Sequence, residues 1–111
     1  MRLAVEYAEI DGVRVVTAQG EIDHDVSAIL DEALLPHGHP TPPQVVVDLS
    51  GVTFMDSSGI NSLVTAYRAV SKVDGWLRIA GPKDSVQRVL SLVGVDRLVS
   101  CHATLEQALH A

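Results

Sequence analysis

The chain has 111 residues, of which 47% are apolar and 20% charged, a composition that fits one globular domain and excludes a disordered chain. Its formal net charge is −6 and no stretch concentrates lysine or arginine, which excludes a nucleic-acid surface, because such a surface needs basic groups to displace counterions. The lone cysteine, Cys101, excludes an internal disulfide, and no window reaches the roughly 18 apolar residues of a membrane span.

A reducing, cytoplasmic setting is therefore expected. The N-terminal run Met-Arg-Leu-Ala-Val-Glu-Tyr is interrupted by Glu6 before any apolar stretch of signal-peptide length. One domain over residues 1–111 is expected.

Residues Leu3 to Ala8 alternate, with Leu3, Val5 and Tyr7 on one face, and Val13 to Ala18 is a second β-rich run. Asp11-Gly12 between them is a favoured hairpin pair, so the two runs pair antiparallel. Gly20-Glu21-Ile22-Asp23 breaks the pattern. Val26, Ile29, Leu30, Ala33 and Leu34 then recur at helical spacing, up to a stop at Pro36. The stretch from Pro36 to Pro43 reads as a loop.

Val45 to Leu49 is a short, nearly continuous apolar run, as in a strand buried on both faces of a parallel sheet. Ser50 to Asp56 reads as a connection, and Ile60, Leu63, Val64, Tyr67 and Val70 mark the inner face of a second helix. Trp76 to Ala80 is the next strand, Gly81-Pro82 a turn, and Val86, Val89, Leu90 and Val93 a third helix ending near Gly94. Leu98 to Cys101 reads as a short strand. Thr104-Leu105-Glu106-Gln107 has the form of a capping box before a last short helix.

The resulting order predicts an α/β domain. Its mixed, mostly parallel sheet is opened by an antiparallel hairpin and carries about four helices. In such sheets partners meet the strand ends and helix starts, which directs attention to Asp56-Ser57-Ser58-Gly59. Asp56, Ser57 and Ser58 are all good cap residues, and capping is the plainest account of them. Gly59 has an equally plain account as a close helix–strand contact. A helix start also offers backbone N–H groups and partial positive charge, so a phosphate on a serine there is tolerated without unfolding. With Asp56 adjacent, and Asp23 near if both loops share one sheet end, a phosphate of about −1.5 to −2 charges concentrates negative charge.

The run from Val46 to Ile60, containing Asp48-Leu49-Ser50 and Phe54-Met55-Asp56-Ser57-Ser58-Gly59, closely resembles the signature of STAS domains (sulfate transporter and anti-sigma factor antagonist). Gly20-Glu21-Ile22-Asp23 resembles that family's second motif, and the order of elements agrees over nearly the whole chain. The resemblance implies a free-standing bacterial anti-sigma factor antagonist, not an enzyme. Such a protein binds an anti-sigma factor serine kinase and so frees a sigma factor for RNA polymerase.

By the same resemblance the kinase phosphorylates the first serine after the motif aspartate, here Ser57. The phosphorylated form is released, and a metal-dependent serine phosphatase resets it. Asp23 and Asp56 then shape the surroundings of Ser57, while Ser58, Gly59 and Asn61 belong to the docking surface. The missing membrane span points away from the transporter branch. The proline-rich Pro36–Pro43 loop departs from the family pattern. A small-ligand or nucleotide-binding module and a scaffold subunit of a signalling assembly are the competing expectations.

Other constellations carry less. His37-Gly38-His39 offers two imidazoles but no nearby cysteine or carboxylate to complete a metal site. There is no Gly-x-Ser-x-Gly elbow around Ser57 and no Gly-rich phosphate loop. No catalytic residue, metal or cofactor is expected. Cys101 reads as an inert thiol and Trp76 as packing.

Overall fold

The computed structural model describes residues 3–34 and 42–111. Five strands form a single sheet: β1 (Leu3–Ile10), β2 (Val13–Ile22), β3 (Gln44–Met55), β4 (Trp76–Ala80) and β5 (Ser100–His102). Five helices accompany them: α1 (Ser27–Leu34), α2 (Ser57–Ser71), α3 (Asp84–Leu92), α4 (Val95–Leu98) and α5 (Leu105–Leu109). The spatial order is β1-β2-β3-β4-β5. Only the first pair is antiparallel, and the other three are parallel, as the alternation of strands and helices predicts.

The hairpin turns on Asp11 and Gly12, with φ of 51° and 81°. Both lie in the left-handed region that a two-residue hairpin turn of this twist requires. β3 occupies the centre of the sheet, and its valines are buried on both sides. Val45 and Val47 join the larger core cluster, while Val46 joins a smaller cluster on the opposite face.

The larger cluster takes Leu30 and Leu34 from α1, Leu63 and Val70 from α2, Val86 and Leu90 from α3, and Val95 from α4. Helices α1 to α4 thus cover one face, and α5 covers part of the other through Ala108 against Val13, Val15, Val46 and Ala80. The Arg78 guanidinium lies 3.7 Å from the centroid of the Trp76 ring. Its Nη1 donates to the Ala108 carbonyl at 2.9 Å, fixing α5 to β4 through a charge-assisted bond.

Three boundaries differ from the sequence reading. β2 and β3 run well past the points where Gly20 and Ser50-Gly51 seem to end them. Their parallel pairing continues through Gly20↔Val52, Glu21↔Phe54 and Ile22↔Met55, with register shifts between Thr17 and Gln19 and between Gly20 and Glu21. Those shifts are bulges, which absorb an extra residue without ending the ladder. Gly51 sits in the first, where a Cβ would come 2.8 Å from Gln19 Cγ. Leu98 belongs to the one-turn α4 rather than to β5, which starts at Ser100; α4 also makes the helix count five.

The last helix is capped nearly as its sequence suggests. Thr104 Oγ1 accepts from the Gln107 N–H at 3.1 Å, but Gln107 Oε1 reaches back to the Ala103 N–H at 3.2 Å rather than to Thr104. Pro36, the end of α1 beyond Leu34, the His37-Gly38-His39 pair and most of the Pro36–Pro43 loop lie outside the described residues.

Candidate functional site

The extended ladder between β2 and β3 places the candidate residues. Ile22 pairs with Met55 at the last rung, and the Asp56 N–H donates to the Ile22 carbonyl at 3.1 Å. Asp23 and Asp56 therefore leave adjacent parallel strands at the same end of the sheet, as the sequence reading required for them to act together. Both are half-buried.

Each carboxylate organises the entry to a helix. Asp23 Oδ1 accepts from the Asp25 N–H at 3.0 Å, and the Asp23 carbonyl accepts from the Val26 and Ser27 N–H groups at 3.2 and 2.9 Å. Asp56 is the N-cap of α2 in extended conformation. Its Oδ1 accepts from the Ser58 N–H at 2.8 Å, and its carbonyl accepts the first intrahelical bond from the Ile60 N–H at 3.2 Å. The expectation of a capping aspartate is thus met by Asp56 itself, and this satisfies one of the donors that every helix start leaves open.

Ser57 is the first residue of α2 and is exposed. Its side chain is not the cap, so its hydroxyl is not engaged in holding the helix start. Ser58 is half-buried and Asn61 exposed. Gly59 is buried, and a Cβ there would lie 2.6 Å from Met55 Cγ and 2.9 Å from Ile22 Cγ2. Its contribution is to seat α2 on the ends of β2 and β3, the packing role the sequence left open beside docking. Ser62, also buried, donates to the Ser58 carbonyl at 3.1 Å.

An open hollow of about 380 Å³ lies between the starts of α1 and α2, lined by Ser57, Ser58, Asn61 and Ser62 on one side and His24, Ser27 and Asp31 on the other. The last three escaped the sequence reading, because none falls in either motif; the one signal available was that Ser27 and Asp31 lie one helical turn apart, and His24 had none. Phe54 was also missed as a surface residue: it is 49% exposed, two positions before Asp56, on a segment read as a connection. Among the described residues no group of three or more His, Cys, Asp or Glu side chains is arranged to hold a metal. No helix there is long and apolar enough to cross a membrane.

With this geometry, comparison with known proteins is direct. The family model of the STAS domain matches residues 4–108. The chain belongs to the STAS domain family.

Among relatives, the TM1081 homolog of Thermotoga neapolitana is 33% identical over 66 residues, covering 60% of this chain and 58% of that protein, less than two thirds of its length. The anti-sigma-B factor antagonist of Staphylococcus aureus is 29% identical over 99 residues, covering 89% of this chain and 92% of that protein. Among solved structures, an anti-sigma factor antagonist from Mycobacterium paratuberculosis superposes with a TM-score of 0.86 at 29% identity, covering 97% of this chain and 92% of that one. The Bacillus cell fate determinant SpoIIAA in its phosphorylated form shares the STAS fold with a TM-score of 0.68 at 23% identity, covering 96% of this chain and 97% of that one.

Proposed function

We propose that this STAS domain is an anti-sigma factor antagonist, a regulatory binding protein rather than an enzyme. In its unphosphorylated form it docks an anti-sigma factor serine kinase and so frees a sigma factor. Phosphorylation of Ser57 ends the complex, and a metal-dependent serine phosphatase restores the binding form. The names of the Staphylococcus and Mycobacterium relatives support the first part. Asp23, Asp56, Ser58 and Asn61 surround the acceptor on the docking face, with Gly59 holding the helix beneath them.

The observation that carries the reading is the position of Ser57. It is exposed at the first turn of α2, while the neighbouring Asp56 carboxylate does the capping. An enzyme can reach this hydroxyl without opening the domain. A phosphate there gains from the helix dipole, so the fold persists. Between Asp56 and a closely packed partner the same phosphate is an unpaired charge in an interface, which costs about 3–5 kcal/mol. That corresponds to a hundred-fold or greater loss of affinity. The switch is local electrostatics with a binding readout, and no refolding is involved.

The test is site mapping. After treatment with the cognate kinase and ATP, mass spectrometry is expected to place one phosphate on Ser57 and none on a Ser57→Ala chain. Phosphate on another residue with Ser57 unmodified overturns the assignment.

A further inference from the structure

We infer that two copies of this chain associate through the outer edge of β1, strand against antiparallel strand, about a two-fold axis at Tyr7. This surface shares no residue with the hollow beside Ser57 and does not depend on Ser57 being the acceptor.

β1 is the outermost strand of the sheet, with β2 on one side and no described strand on the other. It runs for 8 residues. An edge of this kind carries a row of backbone donors and acceptors that can template another chain. The hairpin decides which groups face outwards. Asp11 and Gly12 both have positive φ, and Ile10↔Val13 closes their turn as a hydrogen-bonded pair. The register with β2 then runs unbroken to Leu3↔Gly20. Ile10, Ala8, Glu6 and Ala4 therefore direct their N–H and C=O groups at β2, while Glu9, Tyr7 and Val5 direct theirs outwards.

The outward residues also carry the side chains of a seam. Tyr7 is 63% exposed and Ile29 on α1 is 48% exposed. Both line an open groove of about 620 Å³ together with Val5, Ala28 and Arg14. The Tyr7 ring is held in position by the Arg14 guanidinium, 4.8 Å from its centroid. Arg14 Nε in turn donates to Glu9 Oε1 at 3.4 Å, which offsets the one charge on this face of the strand. An aromatic ring fixed in the open beside unpaired backbone is apolar surface that association covers.

A second copy fits because one register is self-complementary. A two-fold axis normal to the sheet sets residues of the same face opposite each other. Centred on Tyr7, the strands overlap over Ala4–Ile10. Tyr7 then exchanges both backbone bonds with Tyr7 of the second copy, and Val5 and Glu9 do so with each other, about six bonds in all. Glu6 faces Ala8 of the second copy, and Glu9 faces Val5. Centred on Glu6, two carboxylates stand directly opposite, which is destabilising. Centred on Val5 or on Ala8, the overlap shrinks to Leu3–Tyr7 or to Glu6–Ile10. In the favoured pair both Ser57 hollows stay open, so one dimer presents two docking faces.

The experiment uses the full chain. Sedimentation equilibrium up to about 1 mM is expected to show monomer and dimer in exchange. Tyr7→Lys sets two ammonium groups at the axis and is expected to weaken dimerisation about tenfold or more. Tyr7→Pro removes an outward N–H that the monomer does not use, and is expected to fold by circular dichroism yet stay monomeric. For the register, single cysteines are placed in a Cys101→Ser chain and oxidised with copper phenanthroline. Tyr7→Cys is expected to give a disulfide dimer much faster than Val5→Cys, Glu6→Cys or Ala8→Cys, because only position 7 meets its own copy at bonding distance. A monomer at every concentration, or a dimer that Tyr7→Lys leaves as tight as before, overturns the proposal. Faster cross-linking at position 5, 6 or 8 overturns the Tyr7 axis.

Discussion

Asp23 and Asp56 do the same thing one strand apart. Each follows the last rung of the β2–β3 ladder, and each accepts, through Oδ1, the N–H of the residue two positions ahead, at 3.0 and 2.8 Å. Two helix entries are thereby locked side by side at one end of the sheet, and the hollow between them opens beside Ser57.

The cap at Asp56 therefore carries a stability prediction independent of any partner. Asp56→Ala removes the acceptor for the Ser58 N–H and is expected to cost about 1 kcal/mol. Asp56→Asn keeps an acceptor and is expected to lose less. Urea denaturation followed by circular dichroism measures both; equal midpoints for wild type and Asp56→Ala contradict the cap.

Gly59→Ala sets two effects against each other. Alanine favours a helix over glycine by about 1 kcal/mol. The added methyl, however, meets Met55 Cγ and Ile22 Cγ2 well inside contact distance, and Ile22 is a fully buried, β-branched side chain with nowhere to move. Overpacking of this kind costs about 1–3 kcal/mol, so the variant is expected to be destabilised on balance. A stabilised Gly59→Ala chain, by the same denaturation measurement, refutes the close seating of α2.

These two residues also show what was legible in the sequence. Strand β4, the hairpin turn at Asp11-Gly12 and the inner face of α2 follow from apolar period and turn chemistry alone, as do the buried Leu30, Ala33 and Leu34 of α1, whereas Ile29, read at the same spacing, is 48% exposed and Val26 precedes the helix. The ends of β2 and β3 do not, because Gly20, Ser50 and Gly51 look like terminators when each strand is read by itself. What keeps these strands going is their pairing with each other across a bulge: Ser50 N–H donates to Asp48 Oδ1 at 2.9 Å, and the ladder resumes at Gln19↔Gly51. Long-range pairing of this sort leaves no local periodic signal. The same gap hid Phe54 as a surface residue and His24 and Asp31 as neighbours of Ser57. The motif residues were found by resemblance, which names positions but not what faces them.

Phe54 is an exposed aromatic two positions before Asp56, and aromatic side chains are enriched at protein interfaces. Phe54→Ala is expected to leave the denaturation midpoint nearly unchanged and to weaken binding of the anti-sigma factor about tenfold or more by calorimetry. Unchanged affinity places the interface elsewhere.

Cys101 gives a prediction in pH. Burial first, and the Asp96 carboxylate second, push its thiol above the ordinary value of 9.0. The folded chain thus holds this proton more tightly than the unfolded chain. Its contribution to stability is present below the ordinary thiol range and is lost as pH rises through the elevated folded value. Because the thiolate is the nucleophile, iodoacetamide at pH 8 is expected to alkylate native Cys101 several-fold more slowly than the same residue in urea. Equal rates contradict a protected thiol.

The most direct measurement is the affinity of the proposed partner, an anti-sigma factor kinase, for two versions of this chain, unmodified and phosphorylated at Ser57, each checked by NMR for an intact fold. The account predicts superposable backbone spectra away from the β2 and β3 ends and a hundred-fold or greater loss of affinity on phosphorylation. Equal affinities with the fold intact, or a phosphorylated chain that loses binding only because it has unfolded, contradict it.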